Sequence, residues 1–470
     1  MSNAGTPGNP LRIAIVGSGP AAFYVAEDLQ KRFTDGCSID MFERLPAPHG
    51  LVRYGVAPDH QKIKNVTKVF DRIASKSGFR FFGNVSYGPD LSLDDLRRHY
   101  HACCFATGAQ TDRRLGIPGE DSEGSHPATE FVAWYNGHPD FTECSFDLSS
   151  KRVVIVGVGN VAVDVARILC RTDAEMAGTD AADHALEALE SSGVEEVVML
   201  GRRGVAQAAF TNPEARELGE LDGATLHVRE EEIEVDEFTL SETGGDLPKE
   251  LRLKLGILEK CTGDHATSKP RRLTIRFLAS PVELVAGESG RVAAVKIAKN
   301  RLERSSDGRI RAVSTDEVET IPAGLVFRSV GYRGVPLAGL PFDESRGIVP
   351  NAAGRVTDPA SGEPLAGIYV SGWIKRGPSG VIGTNKPDAK ETVATIAEDL
   401  ENGMLAEPSE ASPQAVRELV ESKVRRYVSF EDWRRIDTIE TELGRASGRP
   451  RVKLISASDA FAALDGAARS

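Results

Sequence analysis

Apolar residues along this chain follow two alternating rhythms. Short continuous runs, Ile13–Val16 and Val153–Val156, read as strands covered on both faces. Glycines follow each run at once, and then apolar positions at helical spacing. These positions are Ala22, Val25 and Leu29 after the first run, and Val161, Val165, Ile168 and Leu169 after the second. In the second helix Asp164, Arg167 and Arg171 take a separate polar face. Further on, "SIDMFER" is another strand, with Glu43 at its end. The second unit closes with Val197–Leu200 of "VVMLGRRG", which runs into Arg202 and Arg203. An Ala/Asp-rich stretch at about 173–192 is expected to be helical before that strand. The pattern is strand, glycine turn, helix, strand, and it occurs twice, about 140 residues apart.

Past residue 220 the rhythm changes. The stretches "ATLHVREEEIEV", "RLTIRFLASPVELV" and "RVAAVKIAKNRLE" alternate or run in β fashion between Gly, Asp and Ser, and they predict antiparallel strands appended to the second unit. "LVFRSVGYRG" and "GIYVSGW" then read as short apolar strands that end in glycine and return to the first sheet, and "KPDAKETVATIAEDLENG" is a helix with glycine just past its end. The tail from Glu407 to Ser470 is mostly charged and helical, without a catalytic signature; residues 1–9 are expected to be a disordered tail.

The two turns carry the chemistry. Gly17, Gly19 and Ala21, with Pro20 between them, are read as a G-x-G-x-x-A turn; Gly157, Gly159 and Ala162 repeat it around Asn160. In such a turn the first glycine allows the sharp bend, the second lets backbone approach a pyrophosphate, and the third small residue lets helix and strand pack closely. Free N–H groups at the helix start then hold the anion. The strand ends differ. Glu43 can accept hydrogen bonds from both ribose hydroxyls of an adenosine and repels a 2′-phosphate. Arg202 and Arg203 invert this, because guanidinium forks pair with phosphate oxygens. The first unit therefore reads as the site of a tightly held nucleotide, most simply FAD, and the second as a site selecting NADP(H). A strand-end cap or surface salt bridge is the plainer alternative for the arginine pair.

Composition narrows the picture further. The chain has 470 residues and a net charge of −12, which disfavours non-specific nucleic-acid binding. No apolar run approaches the ~20 residues needed to span a bilayer, and the N-terminus "MSNAGTPGNP" lacks a secretory pattern. The six cysteines contain no C-x-x-C and read as reduced thiols of a cytoplasmic protein.

A family resemblance enters on longer stretches. "GLVRYGVAPDHQKIKNV" (Gly50–Val66), "FGNVSYG" (Phe82–Gly88), "FATGAQTDRRLGIPGE" (Phe105–Glu120), "GNVAVDVARIL" (Gly159–Leu169), "GRRGVAQAAFT" (Gly201–Thr211), "RSVGYRGVPLAGLPFD" (Arg328–Asp343) and "GWIKRGPSGVIGTNK" (Gly372–Lys386) occur in one order from about residue 11 to 455. Together they resemble the adrenodoxin-reductase-type ferredoxin–NADP⁺ reductases, including their bacterial members. The resemblance implies an α/β fold of two Rossmann-like, glutathione-reductase-type dinucleotide-binding domains. The NADP domain (110–329) would be inserted into an FAD domain made of residues 1–109 and 330–470. It implies FAD contacts at Leu51, Val85, Trp373, Gly380, Val381 and Ile382, beside Gly17, Gly19, Pro20, Ala21 and Glu43. It implies NADP contacts at Arg113, Val158, Gly159, Asn160, Val161, Arg202, Arg203, Glu214 and Gly380, and it places His60 and Glu217 near the nicotinamide. On their own, His60 would be a loop or helix-cap histidine and Glu217 a solvated helix face.

Two departures stand out: His49, where the family often has tryptophan, and Val158, where a polar residue is more usual. The expected activity is hydride transfer from NADPH to FAD and then single electrons to a ferredoxin-type iron–sulfur protein or a flavodoxin, by a monomer, with no nucleic acid and no membrane. An acidic acceptor calls for a locally basic face. The candidates are Lys62, Lys64 and Lys68, or the run Lys423, Arg425, Arg426, Arg434 and Arg435. A two-cysteine disulfide reductase, the flavoprotein subunit of a larger redox complex and a non-catalytic nucleotide sensor are the alternatives.

Overall fold

The run Leu11–Val16 is buried at every position because it lies in the middle of a seven-stranded sheet. Across that sheet the strands are Asn351–Ala352, Arg355–Thr357, Pro364–Val370, Ala102–Phe105, Leu11–Val16, Cys37–Glu43 and Phe79–Gly83. The last five are mutually parallel, with Ile13 level with Ile39 on one side and Ala102 on the other. Two antiparallel strands finish the other edge. The helices Pro20–Arg32 and Asn385–Glu401 share one core through Ala22, Val25, Leu29, Ala389, Val393 and Ile396. This is a computed structural model, and it describes residues 4–263 and 268–467. The chain divides into two units: Met1–Thr111 with Asn136–Pro139 and Tyr332–Ser470, and Asp112–Tyr135 with Asp140–Gly331.

The short Asn136–Pro139 segment groups with the first unit for local reasons. Asn136 Oδ1 accepts from Lys453 Nζ at 3.1 Å, and the His138 ring meets Tyr54 edge-on at 4.9 Å.

In the second unit six parallel strands run in the order Ser125–Pro127, Leu325–Arg328, Arg152–Val156, Glu196–Leu200, Arg271–Arg276 and Ala224–Val228. Here the structure corrects the sequence reading. Ala224–Val228 and Arg271–Arg276 are parallel members of the main sheet, not antiparallel additions, and Leu325–Arg328 pairs with Arg152–Val156 in this sheet instead of returning to the first. Parallel neighbours need a crossover, and the helices Glu237–Thr243 and Lys249–Leu258 lie on that connection. Alternation marks a strand but carries no information about its partner's direction. Only Ala279–Ala286, Val292–Arg304 and Ile310–Pro322 form the antiparallel layer. Its Leu284, Val292, Val295, Ile297 and Ile321 cover Val154, Val156, Val198 and Leu200 on one sheet face, while helices cover Val153, Ile155, Val197 and Met199 on the other. Coverage on both faces is why these strands are continuously apolar.

Both chain ends of the first unit are more ordered than their composition suggests. The expected disordered tail begins with residues 1–3, outside the described residues, but Ala4 is buried and Gly5–Asn9 forms a hydrogen-bonded turn. Gly36 admits this turn, since a Cβ there would sit 2.2 Å from Gly5 O. The charged C-terminal segment hides a fully buried acid. Glu440, on the helix Phe430–Ala446, receives both arms of Arg53 at 2.8 and 2.5 Å, Arg451 at 3.0 Å and the Leu454 N–H at 2.8 Å. Burial works against ionisation, yet these cations hold the Glu440 carboxyl below its usual range. Removing one partner of such a pair strands a buried charge. Glu440→Ala is therefore expected to destabilise the protein by about 3–5 kcal/mol in urea unfolding, whereas the exposed Glu421→Ala should change it little.

Candidate functional site

Each unit presents a helix start at the carboxyl end of its central strand, where the strand order reverses. In the first unit Gly17 has φ +100° and its N–H donates to Phe42 O; a Cβ would lie 2.6 Å from Ala106 O. Gly19 caps the helix Pro20–Arg32, and no heavy atom lies within 4 Å of where its Cβ would be. That open face in front of free helix N–H groups fits a pyrophosphate. Pro20 takes the first helical position, where its missing N–H costs nothing.

The third small residue needs correcting. Counted along the turn it is Ala22, fully buried like its counterpart Ala162 in the second unit. Ala21 instead meets Gly372, where a Cβ would come within 2.6 Å of the Ala21 Cβ.

Glu43 ends its strand at this turn. Its Oε2 accepts from Ser18 N at 3.1 Å and Ser18 Oγ at 2.7 Å, and its Oε1 accepts from Leu45 N at 3.0 Å. The carboxylate is thus aimed before any ligand arrives, and the fit is to an adenosine ribose without a 2′-phosphate. Ser18 escaped the sequence reading because a serine inside a glycine turn carries no signal of its own. The Val85 N–H bonds Glu43 O at 2.9 Å, while its side chain is buried in the core. Leu51 is half-buried at the start of the turn of helix that follows Gly50.

A second cluster follows the strand Pro364–Val370. Asp388, buried, accepts from the Gly372 N–H at 2.5 Å and Ser371 Oγ at 3.0 Å, and Lys375 lies 3.2 Å away. It ties the glycine–tryptophan step to the helix Asn385–Glu401. Trp373 is half-buried, donates from Nε1 to Ser379 O and stands 5.4 Å from the Tyr332 ring. Gly380 has φ +79° and a Cβ there would strike Thr384. Val381 is 61% exposed and Ile382 half-buried, so an apolar surface stands open just ahead of a 17-residue helix. That arrangement fits a flat, apolar ring system carrying negative charge near a helix N-terminus.

In the second unit Gly157 (φ +132°) and Gly159 repeat the turn, with Asn160 and Val161 opening the helix Asn160–Cys170. The Val158 side chain lies 3.2 Å from where a Gly201 Cβ would be, so this departure packs beneath the strand end. Arg202 is exposed and Arg203 half-buried, and among the described residues neither makes an ion pair. Burial and its neighbour Arg202 hold the Arg203 guanidinium below its usual range. Asn300, a residue sequence reasoning passed over, is buried and donates to Arg202 O at 2.7 Å. Arg113 is exposed, its N–H on Gly331 O. Glu214 accepts from Thr211 N at 2.6 Å at the start of the helix Asn212–Gly219. On the same helix Glu217 lies 3.5 Å from Arg167, whose side chain is wholly buried and also holds Asp164 at 2.7 Å. His60 caps the short helix Gln61–Lys64 in the first unit.

Of the docking candidates, Lys64 is buried, with Nζ 3.5 Å from Asn136 Oδ1, and drops out. Lys62, Lys68, Lys423, Arg425 and Arg434 are exposed, while Arg426 pairs with Asp465.

No pair of cysteines forms a reactive dithiol. Cys103 and Cys104 are neighbours on one strand and point into different cores, with burial pushing each thiol up to about 12. No group of three potential metal ligands occurs among the described residues. No described helix is long and apolar enough to cross a membrane.

Two such turns with opposite strand-end charge define a pyridine-nucleotide flavoprotein oxidoreductase. The family described as pyridine nucleotide-disulphide oxidoreductase matches residues 11–236. Over 455 residues the chain is 45% identical to the NADPH-ferredoxin reductase FprA of Mycobacterium tuberculosis, covering 95% of this chain and 97% of that one. It is 42% identical to the mitochondrial NADPH:adrenodoxin oxidoreductase of Arabidopsis thaliana, over 97% of this chain and 95% of the relative. The solved structure of Mycobacterium tuberculosis FprA in complex with NADPH superposes with a TM-score of 0.89 at 44% identity, covering 97% of this chain and all of that one. The chain belongs to the adrenodoxin-reductase-type ferredoxin–NADP⁺ reductase family.

The departure at residue 49 has a defined place. His49 is buried, adopts φ +87°, and packs against Phe23, Phe70 and Trp433, with Nε2 3.2 Å from Asp71. Burial lowers its pKa from the ordinary 6.5; Arg53 adds to this, while Asp71 and Asp437 oppose it. The folded protein therefore keeps His49 neutral where the unfolded chain takes up a proton. Its contribution is fully present above pH 6.5 and is lost as pH falls below that value. Relative to wild type, His49→Phe should lose less stability on going from pH 7 to pH 5, with slopes differing by at most about 1.4 kcal/mol per pH unit in urea melts.

Proposed function

We propose that this chain moves a hydride from NADPH to FAD and then passes electrons singly to a small ferredoxin-type iron–sulfur protein, with flavodoxin as an alternative acceptor. The contrast between Glu43 and the Arg202–Arg203 pair carries this reading. It assigns FAD to the unit containing Met1–Thr111 and NADP(H) to the unit containing Asp140–Gly331. Bound FAD supplies the two-electron to one-electron conversion.

The chain's own residues bind, orient and select. The Gly17–Pro20 helix start takes one pyrophosphate, and the Gly159–Val161 start takes the other. Glu43, held by Ser18, receives the ribose hydroxyls. Trp373 and Gly380–Ile382 line the flavin, where the long helix dipole favours negative charge. Hydride transfer needs orientation more than a base. Glu217, backed by the buried Arg167, orients the nicotinamide carboxamide, and His60 tunes that pocket. Arg113 and Glu214 contribute to holding NADP(H).

Support for a cytoplasmic setting comes from the six free cysteines, three of them buried. The absence of a reactive dithiol argues against disulfide reduction.

The yellow protein should bleach when NADPH is added anaerobically and respond poorly to NADH. Arg202→Ala/Arg203→Ala should raise the KM for NADPH roughly tenfold or more while leaving NADH nearly unchanged; equal losses for both would make the pair a structural cap. His60→Ala and Glu217→Ala should each slow flavin reduction by NADPH roughly tenfold in stopped flow. Unchanged rates and affinities would remove both from the nicotinamide pocket.

A further inference from the structure

Beyond the strand end, the second unit contains a depression of about 470 Å³ lined by Arg202, Arg203, Gln207, Glu242, Arg309 and Arg311. The last two arginines come from the hairpin joining Val292–Arg304 to Ile310–Pro322, in the sequence "SSDGRIR". Nothing in the glycine-turn pattern points to them, since they lie about a hundred residues past Arg203.

The hairpin is fixed to the strand end at its base. Asn300 Nδ2 donates to Arg202 O at 2.7 Å and to Ser280 Oγ at 2.8 Å, and the Leu278 N–H donates to Arg203 O at 3.2 Å. Its tip is shaped by Gly308 at φ +79° and by Ser305 Oγ donating to Arg309 O at 2.8 Å. Near the tip Arg304 reaches Glu242 at 2.6 Å. Arg309 and Arg311 share one acid, Asp307, at 3.9 and 3.1 Å. Glu303, opposite Arg311 across the hairpin, is already engaged by Arg301 at 2.7 Å.

Among the described residues, the only ion pairs made by Arg202, Arg203, Arg304, Arg309 and Arg311 are thus those with Glu242 and Asp307. In a chain of net charge −12 this is a local cluster of positive charge. Mutual repulsion among guanidiniums is unfavourable unless an anion joins them. A ribose phosphomonoester, with nearly two negative charges and three acceptor oxygens, has the matching chemistry.

We propose that the hairpin tip forms the second half of the 2′-phosphate site, with Arg309 and Arg311 gripping the phosphomonoester that Arg202 and Arg203 receive at the strand end. This rests on the assignment of NADP(H) to the second unit. Specificity for the phosphorylated cofactor is then shared between the parallel sheet and the antiparallel layer packed on it. Because the tip arginines are exposed, with side chains 83% and 63% accessible, they close on the phosphate from solvent and contribute in a salt-dependent way.

The test uses full-length holoenzyme carrying Arg309→Gln/Arg311→Gln, with flavin content checked against wild type and ferricyanide as electron acceptor. The expected result is a KM for NADPH raised roughly tenfold, with kcat and the KM for NADH unchanged. Inhibition by 2′-AMP should weaken by a similar factor and inhibition by 5′-AMP should not. Raising the ionic strength should shrink the gap between variant and wild type. An NADPH KM within twofold of wild type, or an equal rise for NADH, overturns the proposal. Arg202→Ala/Arg203→Ala separates the two levels. If that variant loses NADPH and the hairpin variant does not, only the hairpin is wrong; if neither loses it, the nucleotide assignment falls as well.

Discussion

Two glycines set the terms for everything else in this protein. Gly17 and Gly157 each lie where the chain turns from a central parallel strand into a helix, and each is pressed against the residue that follows a neighbouring strand. A Cβ on Gly17 would sit 2.6 Å from Ala106 O, and one on Gly157 would sit 2.2 Å from Ser329 O. The flanking hydrogen bonds match as well: Gly17 to Phe42 and Ala106 to Val16 in one unit, Gly157 to Leu200 and Ser329 to Val156 in the other. A phosphate can approach the free N–H groups of a helix only if the turn before it is this tight. Any side chain there would push the strand apart or force the helix start away. The same steric limit, met twice, produces two nucleotide sites from one design.

With the turns equivalent, the two strand ends differ in charge. Glu43 stands clasped by Ser18 and Leu45, so its negative charge is placed rather than free to swing aside. Among the described residues Arg202 and Arg203 have no carboxylate partner, and burial together with the neighbouring Arg202 lowers the pKa of Arg203. One strand end therefore presents a fixed negative charge and the other a pair of cations without an ion pair. The buried Arg53, by contrast, is paired with Glu440.

Much of this was legible in the linear pattern, and the limits have physical causes. The apolar runs Ile13–Val16 and Val153–Val156 were visible because strands covered on both faces favour apolar side chains. The direction of Ala224–Val228 and Arg271–Arg276 was not, because alternation reflects which face is wet and not which way the neighbour runs. The tail around Glu440 looked like solvated helix, since a buried acid cannot be told from an exposed one until its partner, Arg53, is brought 387 residues along the chain to meet it. Ser18, Asn300 and Asp388 were invisible for a related reason. Each acts by holding another residue's backbone or carboxylate, and such roles exist only between segments.

The sequence by itself determined the two strand–turn–helix units, the small residues their turns require, and the opposite charges at their strand ends. These are local matters of sterics and periodicity, settled within some thirty residues. Tertiary structure alone decided which strands pair, which charges are buried, and that a hairpin a hundred residues downstream lines the same depression as Arg202 and Arg203. The reason is that pairing, burial and convergence are properties of distance in space, and distance along the chain does not report them.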